Sequence, residues 1–255
     1  MTQPITKKGL TDEIPVCKFC EKVKEWKSII MWGTEKGYWF ATCSCESDYE
    51  KKMEQEKADK ENVERYLKSG IPVRFKDVSF LNADMQGINR DTYNKIMGEW
   101  LKALGDNNAN NKGLFLHGSY GTGKTYLVIC LAREIYFNYN KGFKFYSVPA
   151  LLEKTRSSFN HNEDEDVINP MEDLTSYPPN ILFLDDIGKE KPSDWVREQL
   201  YILINSRYEN LLPTIFTSNC NAKELSNNLG EAIISRIYEM CDIYTLKGED
   251  RRKIK

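Results

Sequence analysis

No apolar run in the 255 residues approaches the roughly 18 needed to span a bilayer. The polar N-terminus up to Pro15 has no apolar core of a secretion signal. A membrane partner is therefore not expected, and the chain reads as cytoplasmic. A dominant charge of one sign is also missing. The net charge is −2 and the pI is near 5.9, so no global positive field draws the chain to nucleic acid. Any such contact must come from a local patch. The sequence has no internal repeat and no recognisable DNA-reading helix, which leaves sequence-specific readout without support. Low complexity is confined to an acidic stretch at 160–173, expected as an exposed, irregular insertion. What remains is an ordinary globular composition, 40% hydrophobic and 29% charged, sufficient for one large or two small domains.

Seven cysteines are an odd number, and they are unevenly placed. Cys130, Cys220 and Cys241 lie scattered in or beside apolar runs, as core-packing thiols do. Cys17, Cys20, Cys43 and Cys45 lie within the first 45 residues. They flank two short aromatic runs, 29–32 and 38–42, joined by Gly33-Thr34-Glu35-Lys36-Gly37, which reads as a hairpin turn. A C-x-x-C knuckle wraps one side of a tetrahedral ion, and a second pair brought back by the hairpin completes an S4 site for Zn²⁺. The C-x-C half is tighter than the usual spacing, and free buried thiols or a redox pair are the alternatives. A segment this short with few aliphatics needs a staple, which favours the metal. Trp26, Trp32 and Trp39 are expected to pack over the site rather than to contact a partner.

Residues 46–68 are almost wholly charged and lack proline and glycine, so they read as a solvated helical linker. Beyond Gly70, strands and helices alternate. Tyr93, Ile96, Met97, Trp100, Leu101 and Leu104 have amphipathic-helix spacing. Strands are expected at 114–117, 143–147, 181–184, 214–217 and 243–246. Helices are expected at 124–139, 149–159 and 195–210, with two short ones after 219. Such alternation gives an α/β fold, a parallel sheet covered by helices on both faces. The domain expectation is a zinc-binding module at 1–45, the linker at 46–69 and an α/β domain at 70–255.

Between the strand at 114–117 and the next helix stands Gly118-Ser119-Tyr120-Gly121-Thr122-Gly123-Lys124-Thr125, which matches G-x-x-x-x-G-K-[ST]. The glycines let backbone N–H groups turn inward onto phosphate oxygens, beside a helix N-terminus. Lys124 supplies a mobile charge for the β- and γ-phosphates, and the Thr125 hydroxyl is suited to Mg²⁺. Ile181-Leu182-Phe183-Leu184-Asp185-Asp186 runs an apolar strand into two carboxylates at the sheet edge where ligands bind. Asp185 is expected to hold Mg²⁺, and Asp186 to orient or deprotonate the attacking water. Asn219, after the next strand, is placed to position that water.

Residues 70–252 resemble the helicase-loader branch of AAA+ ATPases, the DnaC/DnaI type, which includes the IstB-type transposition helpers. The resemblance rests on Ser69-Gly70-Ile71-Pro72 with Phe75, the phosphate loop, and Leu184-Asp185-Asp186-Ile187-Gly188. It continues through Asn205-Ser206-Arg207-Tyr208-Glu209, Leu212-Pro213-Thr214-Ile215-Phe216-Thr217-Ser218-Asn219 and Ile234-Ser235-Arg236. It implies an ATPase whose site a neighbouring subunit completes. Arg236 matches the family's arginine finger, so self-association through it is implied, and Asn219 matches the first sensor. Within Gly248-Glu249-Asp250-Arg251-Arg252, Arg252 is the candidate second sensor, although a solvated basic tail fits equally well. The chain departs from general AAA+ architecture in stopping before a helical lid. The Ile71 region is implied to pack near adenine.

Some loaders of this branch carry a similar zinc-binding N-terminal module that grips the replicative hexameric helicase. The implied function is ATP-dependent loading of that helicase onto single-stranded DNA at replication starts. Two alternatives stand beside it. One is a transposition helper acting with a transposase on duplex DNA, and the cysteine module argues against it. The other is a zinc adaptor that uses nucleotide as a switch with little turnover.

Overall fold

The computed structural model describes residues 16–30, 37–81, 90–105, 112–159, 169–189, 193–251 and 253. The chain forms two compact units, Met1–Glu64 and Arg65–Lys255.

In the first unit β1 (Glu25–Ile30) and β2 (Gly37–Thr42) pair antiparallel, in register from Glu25 with Thr42 to Ile30 with Gly37. The expected hairpin is therefore present, while its connecting residues 31–36 lie outside the described residues. Helix α1 (Ser44–Lys68) begins within the C-x-C pair, and its last turn, from Arg65, belongs to the second unit. Its charged sequence is held by local ion pairs and by the absence of helix breakers, since its single fully buried residue is Tyr66 near the far end.

The second unit is built on five parallel strands in the order β4-β5-β6-β3-β7. These are β3 (Gly113–His117), β4 (Phe143–Ser147), β5 (Ile181–Asp185), β6 (Thr214–Ser218) and β7 (Cys241–Thr245). Their side chains alternate between two cores. Leu114, Leu116, Ile181, Phe183 and Ile215 enter one core, which includes α4 (Lys124–Phe137). Phe115, Leu182, Leu184 and Phe216 enter the other, with α5 (Val148–Ser158), α7 (Asp194–Glu209), α8 (Ala222–Leu229) and α9 (Glu231–Met240). Both faces are covered, which is why these strands read as unbroken apolar runs rather than as alternating ones.

Two elements differ from expectation. The helix expected around 93–104 is α2 (Arg90–Lys95), a π turn over Ile96–Trp100, and α3 (Leu101–Gly105). The wide turn contains Gly98, a weak helix former that no neighbour crowds. Trp100 at its end donates its indole N–H to the carbonyls of Lys112 and Gly113, each at 3.0 Å. The second difference is α6 (Pro170–Ser176), whose first residues fall within the stretch expected to be irregular. Asn169 caps it by accepting from the Met171 amide at 3.0 Å, and Met171 and Leu174 are buried one turn apart. Residues 160–168 of that stretch lie outside the described residues.

Candidate functional site

Parallel strands in matched register bring their C-terminal ends to one edge, and the chemistry collects there. His117 pairs with Ser218 on one side and Thr245 on the other, while Leu184 pairs with Phe216. The chain leaves β3 through a loop with positive φ at Gly118 (154°), Gly121 (74°) and Gly123 (88°). A Cβ at Gly118 would be driven into the Leu246 carbonyl, and one at Gly121 into Asp250. These glycines therefore serve both the loop's curl and its contact with the segment after β7.

Lys124, the first residue of α4, is 4% exposed. Its ammonium donates to the carbonyls of Gly118 at 2.8 Å and Ser119 at 2.7 Å, which places the charge over the loop. Thr125 Oγ1 donates to Asp185, 2.9 and 3.0 Å from its two carboxylate oxygens. Thr217 Oγ1 donates to Asp185 Oδ1 at 2.6 Å and accepts the Asp186 amide at 2.9 Å. Burial pushes the Asp185 carboxyl above the usual range and the Asp186 charge adds to this, while the Thr217 and Thr125 hydroxyls pull it down.

Asp186 sits at φ +62°, a left-handed backbone that turns its carboxylate out of the strand. Asn219 Nδ2 donates to one of its oxygens and Lys189 Nζ to the other, both at 2.7 Å. These residues line a cleft of about 660 Å³ together with Arg74, Phe75, Tyr120, Tyr126 and Arg251.

The glycine loop, Asp185, Asp186 and Asn219 are thus brought to one cleft. Ile71 is buried, and Arg74 and Phe75, just after it, face the cleft. Arg74 stacks on the Phe75 ring at 4.2 Å. Arg252 lies outside the described residues; its neighbour Arg251 lines the cleft and donates its amide to the Gly121 carbonyl at 3.1 Å. Arg236 is not brought to the cleft of its own chain. It is half-buried on α9, donates to Asn205 Oδ1 at 2.7 Å and the Tyr201 hydroxyl at 3.0 Å, and lies 4.8 Å from the Tyr201 ring centre.

Thr217, Lys189 and Arg74 were missed in the sequence. Thr217 was hidden as one more β-branched strand residue. Lys189 had a weak signal, its place three residues after a carboxylate at a strand end. Arg207, within the motif around 205–209, is fully buried and serves the scaffold. It donates to Thr214 Oγ1 at 2.7 Å, Pro213 O at 2.9 Å and Pro179 O at 3.0 Å, pinning the loops before β5 and β6.

In the first unit the four cysteine sulfurs lie within 4.8 Å of one another, with Cys20 and Cys43 Sγ 3.6 Å apart. Tetrahedral zinc with bonds of about 2.3 Å places sulfurs about 3.8 Å apart, so the cluster fits that ion. The C-x-C spacing works because α1 starts there. Cys43 accepts the Glu46 amide with its carbonyl at 3.1 Å, and Cys45 lies in the first turn. The Phe19 amide, 3.4 Å from Cys17 Sγ, holds that thiol below its usual range. Cys20 and Cys43 each have a backbone amide lowering them, from Lys22 and Cys45 respectively. Neighbouring thiols and burial outweigh it and push both up. Deprotonated together, four sulfurs this close would repel one another, so the arrangement suits a cation between them.

A model of the family described as IstB-like ATP binding protein matches residues 44–255. The chain belongs to this family. The replicative helicase loader DnaI of Bacillus subtilis (strain 168) is 27% identical over 187 residues, covering 68% of this chain and 58% of DnaI. The chain thus spans somewhat over half the length of that curated relative. A crystal structure of the DnaC helicase loader matches with a TM-score of 0.57 at 27% identity, covering 69% of this chain and 100% of that one. A crystal structure of DnaI shares the fold, with a TM-score of 0.56 at 24% identity over 72% of this chain and 95% of that one. The five-stranded parallel sheet covered by helices is the AAA+ fold, and this IstB-like chain carries it with a four-cysteine cluster ahead. Among the described residues no helix is long and apolar enough to cross a membrane.

Proposed function

We propose that this chain is a magnesium-dependent ATPase that delivers a replicative ring helicase onto single-stranded DNA at the initiation of replication, in the cytoplasm. The observation that carries the ATPase reading is one cleft holding Lys124 over its glycine loop, Thr125 joined to Asp185, and Asp186 joined to Asn219. A hydroxyl and a buried carboxylate, both oxygen donors in mutual contact, fit Mg²⁺, which neutralises phosphate charge when bound. Lys124 and the loop amides bind the phosphates of ATP. Asp186, with Asn219 fixing one oxygen, orients the attacking water. Arg251, at the end of the segment packed on the loop, and Arg252, next to it in sequence, are candidates for sensing the nucleotide.

Arg236 acts in trans in this scheme. Its place outside its own chain's cleft, with the guanidinium at a helix surface, supports self-association that presents it to a neighbour's γ-phosphate.

The loader role draws on the likeness to DnaI and DnaC, both named helicase loaders. The cysteine cluster suits Zn²⁺, and the module within residues 1–45 is the grip on the helicase, joined by the 46–69 linker to the ATPase domain at 70–255. The family match alone would also suit a transposition helper, and the cysteine module weighs against that role.

Size-exclusion chromatography with the replicative helicase of the same system, run with ATP and Mg²⁺, tests this. Co-elution that disappears when zinc is stripped during preparation is expected. Intact ATPase activity with no complex under any condition would defeat the loader role. Lys124→Ala should abolish nucleotide binding, and retained binding would defeat the assignment of the cleft.

A further inference from the structure

Lys189 stands three residues past Asp186 on the turn that leaves β5. The turn itself is fixed. Ile187 donates its amide to the Thr217 carbonyl at 2.9 Å, and Gly188, at φ +92°, packs where any Cβ would strike Leu225. The side chain is held more loosely. Its ammonium donates to Asp186 Oδ2 at 2.7 Å and lies 5.5 Å from the ring centre of Tyr120, a residue of the phosphate loop. The Lys189 and Asp186 side chains are 35% and 28% exposed, and an ion pair this open to water contributes little. Lysine is also a point charge on a flexible stem, able to change partner without moving its backbone.

The pairing matters because of what Asp186 is engaged in. With Asn219 on Oδ1 and Lys189 on Oδ2, both carboxylate oxygens already accept a hydrogen bond. Access for a water improves once one donor leaves. The carboxylate offers Lys189 a single negative charge, whereas a nucleoside triphosphate entering beside Lys124 and Tyr120 offers a denser one. A diphosphate on the same loop lacks the terminal group nearest Asp186.

We propose that Lys189 is a terminal-phosphate-selecting residue. Its ammonium leaves Asp186 for the terminal phosphate of a bound nucleoside triphosphate and returns when a diphosphate takes its place. The inference rests on the cleft being an ATP site and adds to it a discriminator within the same chain. The exchange also frees Asp186 Oδ2 when there is a phosphate to attack, and occupies it otherwise.

Isothermal titration of the full chain with a non-hydrolysable ATP analogue and with ADP, both with Mg²⁺, tests this in the wild type and in Lys189→Met. The variant should bind the triphosphate analogue about tenfold more weakly, the loss of one charge-assisted contact, with ADP affinity changed by less than about twofold. Lys189→Arg should keep most of the preference. Equal weakening for both nucleotides, or no change for either, would overturn the proposal and leave Lys189 as general charge or as a permanent clamp on Asp186. Thermal unfolding checks that the variant is folded, and Lys189→Gln replaces it if it is not. A wild-type chain that binds neither nucleotide would sink the ATP reading itself, an outcome distinct from lost discrimination.

Discussion

Thr217→Val separates the work of one hydroxyl from the shape of the side chain that carries it. Thr217 is 1% exposed, and its Oγ1 both donates to Asp185 at 2.6 Å and accepts the Asp186 amide at 2.9 Å. Valine keeps the branched shape, so no cavity opens, but both hydrogen bonds vanish and a shielded amide loses its acceptor. One neutral bond and one to a carboxylate together are worth about 3 kcal/mol. For a unit of this size that lowers the melting temperature by about 6–12 °C.

The deficit should also depend on pH. Burial raises the Asp185 carboxyl in the folded chain, and Thr217 opposes that rise. A carboxyl raised by folding contributes stability that is complete below the ordinary aspartate range and lost as pH climbs through the raised value. Removing the hydroxyl moves that value higher, so valine should cost less in acid, where Asp185 is protonated, than at neutral pH. Urea unfolding at several pH values reads both effects, with Thr217→Ser as the control that restores the hydroxyl. A valine variant as stable as the wild type at neutral pH, or one whose deficit shrinks as pH rises, would refute the reasoning.

Arg207→Met should lower stability by about 3–5 kcal/mol in chemical denaturation, because a buried set of carbonyls and a hydroxyl loses its common donor. Wild-type stability would show that the loops before β5 and β6 do not depend on it. Arg236→Ala should leave ATP binding intact and reduce turnover by about 10³-fold or more, if a neighbour's guanidinium serves the reaction. Normal turnover would end the arginine-finger assignment. The pair Cys20→Ser and Cys43→Ser should remove the zinc measured by elemental analysis of the purified chain while leaving nucleotide affinity unchanged. Full zinc content in the double variant would show that the metal lies elsewhere.

The phosphate loop and the carboxylate pair were legible because their chemistry forces a local pattern. Glycine fills the loop's positions of positive φ at 118, 121 and 123, and an apolar strand running into two carboxylates stands out in sequence. The five parallel strands were legible for a related reason, since burial on both faces leaves apolar runs such as Ile181 to Leu184. Harder to see were features that depend on a distant partner. Thr217 becomes a site residue only because β5 lies beside β6. The acidic residues around α6 concealed Met171 and Leu174, two apolar side chains one turn apart that find their core only in the folded chain. The π turn at Ile96–Trp100 leaves the apolar face intact, so the spacing that announced a helix could not reveal it. Arg251 could not be told from a solvated basic tail in the sequence, because nothing in its own segment shows that the residues after β7 return to Gly118 and Gly121.

Three successive residues at and just past the end of β6 contact separate parts of the site. Thr217 and Asn219 address Asp185 and Asp186, while the Ser218 carbonyl between them accepts the Gly118 amide at the root of the phosphate loop. The root of the glycine loop and the hold on the carboxylates therefore share one tripeptide. A perturbation of either travels through covalent bonds to the other, so substitutions at these positions should fail to add, with coupling energies of about 0.5–3 kcal/mol in paired variants. Substitution at Arg74 or Tyr120, which line the cleft from outside this tripeptide, should therefore be better tolerated than substitution at 217–219.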